Sequence, residues 1–386
     1  MGVSLSIISG KGGCGKTTLA LSISQLLAKS GCNVLLIDCD MSTHGATYFF
    51  EDLLKDKKKT LTVTDVFSTK DLSQEEDKKE IFVTKNFNFI PSTVSLVNDK
   101  FIETAFHINQ SIKEKVLDKY DVVIYDCQAG FSLLTKEVTR ITTKNLVVME
   151  LDSISSSSTR TLSTQLGANL EGTNTYQVLN KVTEEEFDVY YLVAYGTVYT
   201  NLTPIRYSLS IKKAFAFNQL PEIDMKNTLF TKDIFEVVHF VFSEYKDELN
   251  IFSLKSKNEL RELIHNKIES LLETEAERYI EESKFDYTEL IYNLMPFLVS
   301  ISLSISSLLL QNDNLKDILF LVAGAFAGNS ILKMYGQVKK YIKVHIKGNE
   351  FVQSDKIIKL EKQLDVLDDE IEKLRNTIND GKQNNI

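Results

Sequence analysis

Residues 10–18 read Gly-Lys-Gly-Gly-Cys-Gly-Lys-Thr-Thr, a run of glycines, lysines and hydroxyls suited to holding phosphate. It fits the pattern G-x-x-x-x-G-K-[ST], with Gly10, Gly15, Lys16 and Thr17 at the defining positions. Gly12, Gly13 and Cys14 complete a loop of small residues, so backbone N–H groups can turn inward around phosphate oxygens. Lys16 is placed to reach the β- and γ-phosphates of a nucleotide. The Thr17 hydroxyl, with Thr18 beside it, is placed at Mg²⁺, which usually needs only one or two protein ligands besides phosphate. ATP and Mg²⁺ are therefore the expected cofactors.

Such a loop works only between a strand and a helix. The apolar run Val3 to Ser9 precedes it and a helix-like run, Thr17 to Ala28, follows it. The helix then aims its positive end at the bound anion. Asn33 to Met41 reads as a buried parallel strand ending in Asp38 and Asp40. Tyr120 to Gly130 reads as another, ending in Asp126. Ligand sites of open α/β sheets lie at such C-terminal strand ends. The bland alternative for the aspartates is a strand end turned by polar residues, and for Lys11 a solvated loop lysine.

The early lysine narrows the identification. Lys-Gly-Gly-x-Gly-Lys-Thr-Thr is the deviant Walker A signature, and here the chain resembles the ParA/MinD family of P-loop ATPases. The resemblance implies that Lys11 reaches across a dimer interface to the partner's nucleotide. It implies that Asp40 positions the attacking water and that Asp38 supports the Mg²⁺ shell. Asp126 then corresponds to the Walker B residue, and Gly130 to the switch position that approaches the γ-phosphate. Met41 departs from the family's usual proline, and Gln128 and Ala129 replace two more. Phe89-Ile-Pro-Ser92 resembles a further family segment. Val178-Leu-Asn-Lys181 resembles another, which makes Asn180 a reader of the adenine edge; its other reading is a turn cap. Residues 203–207, Ala214 and 219–221 resemble the loop that wraps the base. The likeness covers about residues 1–245.

Composition bounds the rest. With 386 residues, 25% charged and 43% hydrophobic, the chain can bury one large or two modest domains. Its net charge of −9 argues against a dedicated nucleic-acid binder without excluding a local basic patch. The four cysteines, Cys14, Cys32, Cys39 and Cys127, show no metal-ligand spacing and read as reduced thiols of a cytoplasmic protein; Cys14, Cys39 and Cys127 fall beside the expected nucleotide site, as small fillers or as oxidation-sensitive thiols. No signal peptide is expected. Gly2 fits a myristoylation pattern but leads straight into the first strand.

After about residue 245 proline and glycine thin out. Leu260 to Tyr279 reads as an amphipathic helix. No charged residue stands between Glu289 and Asp313, and Leu290 to Leu310 is long enough for a hydrocarbon core of roughly 30 Å. A second apolar stretch, Ile318 to Leu332, contains Gly324-x-x-x-Gly328, a small-residue packing face. Lys333, Lys339, Lys340, Lys343 and Lys347 follow, with no acid before Glu350. Two readings stand: a membrane hairpin over 290–332, or a helical hairpin buried against itself or in an oligomer. Ile357, Leu360, Leu364, Leu367, Ile371, Leu374 and Ile378 form a heptad seam, expected as a parallel two-stranded coil, or else as a helix packed on its own protein.

The expected fold is α/β: a doubly wound, mostly parallel P-loop domain over 1–245, then an all-helical tail. The tail divides into a linker (246–288), an apolar hairpin (289–335) and a basic segment with the coiled-coil helix (336–386). The expected function is an ATP-hydrolysing dimerisation switch that positions or partitions a cargo. Its partners are a second copy and, through the tail, a membrane or a protein. The alternatives are a partition ATPase that binds DNA non-specifically, and an ATP-assembled scaffold with little turnover.

Overall fold

The computed structural model describes residues 2–54, 59–67, 78–93, 107–171, 174–189, 199–221, 223, 229–283, 287–308, 355–383 and single turns between 323 and 336. Its strands are β1 (Val3–Ser9), β2 (Val34–Cys39), β3 (Ile81–Thr84), β4 (Phe87–Ile90), β5 (Val122–Ala129), β6 (Lys144–Met149), β7 (Asn174–Val182), β8 (Thr200–Asn201) and β9 (Ile205–Arg206). They form one sheet in the order β3-β4-β2-β5-β1-β6-β7-β8, with β9 also on β7. Every pairing is parallel except the β3–β4 hairpin. The expected doubly wound domain is therefore observed.

The burial of β2 shows why these runs are strands. All six of its residues are buried, as in a strand covered on both faces. Val34 and Leu36 enter one apolar cluster with Leu5, Ile7 and Ile124, under the helices Lys16–Lys29 and Leu229–Val241. Leu35 and Ile37 enter the other with Ile8, Val123 and Tyr125, under the helices Leu133–Ile141 and Ser153–Leu166. The alternation of period two sends successive side chains into opposite layers. Strand order reverses around β1, so the loop after β1 opens at the switch point of the sheet.

Contacts divide the chain into two compact units, residues 1–260 with 371–386, and residues 261–370. The linker is a single helix, Lys246–Ser283, in which Ile264 and Ile268 are buried. The helix Tyr287–Leu308 contains Pro296. Among the described residues no helix is long and apolar enough to cross a membrane. Residues 309–322 of the expected hairpin, and Gly324 and Gly328, lie outside the described residues.

The heptad seam is one helix, Asp355–Gln383. Ile357 and Leu367 are already buried in the single chain, and Asp368 pairs with Arg261 at 2.5 Å. These contacts lie within one chain.

Phe89 is fully buried where β4 meets the Phe50 ring, 4.8 Å between centroids. Phe89→Ala is expected to destabilise the first unit by about 3–5 kcal/mol, measured as a lowered urea midpoint of the full chain.

Candidate functional site

The loop after β1 is shaped by two left-handed glycines, Gly13 at φ +83° and Gly15 at φ +91°. At Gly10 an added Cβ would meet the Ser158–Thr159 backbone, and at Gly15 the Asn180 amide nitrogen. The loop is thus wedged between the Ser153–Leu166 helix and the end of β7. Gly12 and Gly13 are open to solvent, whereas Cys14 is fully buried and turns its thiol toward the Ser155 hydroxyl. Thr18 is half-buried on the first turn.

The two loop lysines differ in surroundings. Lys16 is 7% exposed and donates to the Ser9 hydroxyl at 3.0 Å, which in turn donates to the Lys11 carbonyl at 2.7 Å. Lys11 lies at the surface, paired with Glu150 at 3.2 Å and Asp152 at 3.0 Å. Its hydrogen bonds to Asp152, then to Glu150, raise its pKa. The second oxygen of Glu150 takes Lys181 at 2.7 Å, and Lys181 also donates to the Gly13 carbonyl. Burial pushes the Glu150 carboxyl up, but Lys181 and Lys11 outweigh it and hold the pKa below the ordinary value. Lys181 has φ +61°, a left-handed conformation that costs a non-glycine residue roughly 1–2 kcal/mol.

Asp38 and Asp126 are register partners on β2 and β5, both fully buried. Asp38 accepts from the Asp40 N–H and from both the N–H and hydroxyl of Thr47. It is thereby committed to shaping the turn after β2. Asp126 accepts from the Thr17 hydroxyl at 2.7 Å, and its Oδ1 is buried with no hydrogen-bond partner among the described residues. An orphaned carboxylate oxygen next to the loop threonine fits Mg²⁺ or its water shell, so Thr17 and Asp126 are the residues that would hold the metal. No three His, Cys, Asp or Glu side chains among the described residues converge as a preformed metal cage. That suits a cation that takes most of its ligands from phosphate and water. Burial pushes Asp126 up to about 7, with the Asp38 charge adding to it, and pushes Asp38 up to about 6.

Asp40 is held differently. Its Oδ1 accepts from Ser42 N–H, Ser42 hydroxyl and Thr43 N–H, and its Oδ2 from the Thr43 hydroxyl at 2.6 Å. Burial raises its pKa, but these hydrogen bonds, those of Thr43 foremost, carry it below the ordinary value. Asp40 therefore stays ionised and acts as an acceptor.

Asn180 lies at the loop, donating to the Cys14 carbonyl at 2.8 Å. Its amide nitrogen is a buttress of the phosphate loop here. Gly130, at φ +75°, donates its N–H to the Ser9 carbonyl at 2.8 Å. Cys39 and Cys127 are register partners, and burial raises both thiols, so they are inert fillers behind the site. Sequence reasoning passed over Glu150, Asp152 and Lys181 as site residues. The available signal was position: all three stand at the C-terminal ends of β6 and β7, the edge that carries the other site residues.

This strand–loop–helix with its buried lysine and paired aspartates defines a P-loop nucleotide-binding domain. Residues 3–176 match the family profile described as an AAA domain. The chain is 32% identical over 129 residues to the septum site-determining protein MinD of Synechocystis, covering 32% of this chain and 44% of that protein. It is 35% identical over 133 residues to the cell division protein PomZ of Myxococcus xanthus, covering 32% and 39%. A match to an uncharacterised ATP-binding protein of Methanocaldococcus jannaschii is 30% identical over 128 residues and covers 45% of it. The chain thus spans less than half the length of each of these relatives. Among solved structures, a MinC:MinD complex of Aquifex aeolicus is 18% identical with a TM-score of 0.49, over 62% of this chain and 96% of that one. The P-loop domain of this chain thus resembles the ParA/MinD proteins, as the sequence motifs led one to expect. The family-profile match ends before the tail begins.

Two outcomes follow from this geometry. Glu150→Ala should raise the amine-labelling rate of both Lys11 and Lys181, whereas Asp152→Ala should raise that of Lys11 alone, read by mass spectrometry of the labelled full chain. For Asp126, the folded pKa lies above the unfolded one. The folded state therefore binds the extra proton, and stability falls as pH rises from about 4 toward 7. Without Mg²⁺, Asp126→Asn should raise the thermal midpoint at pH 8 and raise it less at pH 5.

Proposed function

We propose that the chain is an ATP-driven dimerisation switch that hydrolyses ATP slowly and positions or partitions a cargo. The observation that carries this reading is the contrast between the two lysines of one loop. Lys16 is buried and committed to its own loop. Lys11 is a surface cation on carboxylates that can release it, suited to another copy's phosphates. The relatives' names, septum site determination and cell division, describe positioning tasks.

Each residue then has a distinct task. The Gly10–Gly15 backbone cradles the phosphates, and the buried Lys16 amine offsets charge where the phosphoryl group transfers. Thr17 and Asp126 would hold Mg²⁺, which would supply positive charge beside the phosphates. Asp40, ionised and with capacity left on Oδ2, orients the attacking water and does not store its proton. Gly130 must exchange its bond to the Ser9 carbonyl for one to the γ-phosphate, which makes that bond the switch contact. Lys11 supplies charge in trans, and Asn180 steadies the loop beside the base. The tail attaches this cycle to a surface or a partner.

Lys11→Ala should still bind ATP but lose the ATP-dependent dimer, measured by light scattering with ATP and with ADP. Asp40→Ala should keep the dimer and lose about a hundredfold or more in turnover. Unchanged turnover in Asp40→Ala would favour the scaffold reading, and salt-sensitive retention of the ATP-bound chain on DNA would favour the partition reading.

A further inference from the structure

Asp40 is held by more donors than its turn needs. The N–H groups of Ser42, at 3.0 Å, and Thr43, at 2.8 Å, both reach Oδ1 and close the turn after β2. Any residue except proline would supply such backbone donors at these positions. Two hydroxyls are added to them. Ser42 Oγ joins the same oxygen at 2.7 Å, and Thr43 Oγ1 donates to the other, Oδ2, at 2.6 Å. Asp40 is buried, whereas Ser42 and Thr43 are both exposed. Neither hydroxyl lacks access to water, so neither needs the carboxylate to satisfy its donor.

An ionised carboxylate offers about four lone-pair positions, two on each oxygen. Three donors crowd Oδ1, which is full, and Oδ2 receives Thr43 alone among the described residues. One acceptor position on Asp40 is left, and Thr43 decides which one. Donors on a single oxygen would also let the carboxylate plane rock about that oxygen. A donor on the second oxygen fixes the plane, and Thr43 is β-branched, so its own χ1 is stiff. The turn lies where this orientation matters. An added Cβ at Gly45 would come within 3.0 Å of the Thr17 hydroxyl. Asp38 pins both ends of the segment, through the Asp40 N–H at 3.0 Å and through Thr47 at 2.7 Å.

We propose that Thr43 is a positioning residue for the hydrolytic water: its hydroxyl takes one side of Asp40 Oδ2 and leaves the other side as the acceptor for that water. This rests on the reading of Asp40 as the group that orients the water. The water donates one O–H to Oδ2 and turns an oxygen lone pair toward the γ-phosphorus. The bond from that oxygen to phosphorus forms as the bond to the ADP oxygen breaks, and the proton of the water leaves with the phosphate. Thr43 acts through Asp40 and holds no part of the nucleotide. Its contribution is therefore to rate and not to affinity.

The test is steady-state ATP turnover of the full chain with Mg²⁺, with ATP affinity measured separately by titration calorimetry. Thr43→Val keeps the β-branched shape and the N–H donor and removes only the hydroxyl. It should lower kcat by roughly tenfold to a hundredfold and leave KM and ATP affinity within about twofold. Thr43→Ser restores the hydroxyl and should return kcat to within about threefold of the parent. Ser42→Ala should cost less than Thr43→Val, because Oδ1 keeps both N–H donors. Thr43→Ala carries the same expectation as Thr43→Val and replaces it if that variant does not fold. A hydroxyl that merely braced the turn would lower the thermal midpoint and weaken ATP binding while kcat held, and that result overturns the proposal. If Asp40→Ala is slow and Thr43→Val turns over like the parent, the assignment of Thr43 falls and the reading of Asp40 stands. If Asp40→Ala turns over like the parent, or the parent does not hydrolyse ATP, both fall.

Discussion

Two carboxylates without solvent, side by side in register at the centre of the sheet, are the constraint around which the first unit is arranged. Asp38 and Asp126 cannot both be charged there without compensation. Asp38 obtains it from Thr47 and from the backbone of Asp40. Those bonds bend the chain after β2 so that Ser42 and Thr43 close around Asp40. Asp126 obtains half of it from Thr17, the second residue of the helix that follows the phosphate loop. One oxygen remains unsatisfied. The sheet thus holds a standing demand for a cation at the point where the loop threonine and β5 meet, and the loop, the turn and the helix are all braced against that point.

The sequence made much of this legible because each feature had a local signature. The phosphate loop is contiguous, and its glycines are required by backbone conformations that the structure shows at Gly13 and Gly15. β2 and β5 are short apolar runs that end in aspartate, and both are strands within a residue or two of the expected bounds. The β6 and β7 ends were less legible. Glu150 and Asp152 meet Lys11 because β6 lies beside β1, Lys181 joins them through Glu150 because β7 lies beside β6, and no spacing in the chain expresses those adjacencies. Asn180 was read as meeting the base or capping a turn; the contact of its amide with the loop backbone, made possible by the missing Cβ of Gly15, has no signature in the sequence.

In the tail the heptad seam identified a helix correctly and its partner ambiguously. A period of 3.5 says which face is apolar, not which chain covers it. Ile357 and Leu367 find cover within their own chain, and the Arg261–Asp368 pair adds a polar contact at its edge. The apolar run after Glu289 was legible as a helix for the same reason. What the run could not express was the distribution of its side chains around the axis, because serine and leucine alternate too closely for the period to declare a face. Among the described residues, the hydrogen bond from Ser300 to the Ala323 carbonyl marks one inward position.

The shared carboxylate of Glu150 has a consequence for how the first unit responds to its medium. Two lysines and two acids form a closed set at the mouth of the loop, with no net charge. Withdrawing Lys11 leaves two negative groups and one positive group beside the place where phosphates arrive, an arrangement that repels the incoming anion until some cation takes the vacated position. The mouth of the loop therefore behaves as an ion exchanger. Its members are one-fifth to two-fifths exposed, so dissolved salt competes for the same places. Ionic strength becomes a quantity the domain senses directly, through the ease with which its surface lysine is traded for a counter-ion.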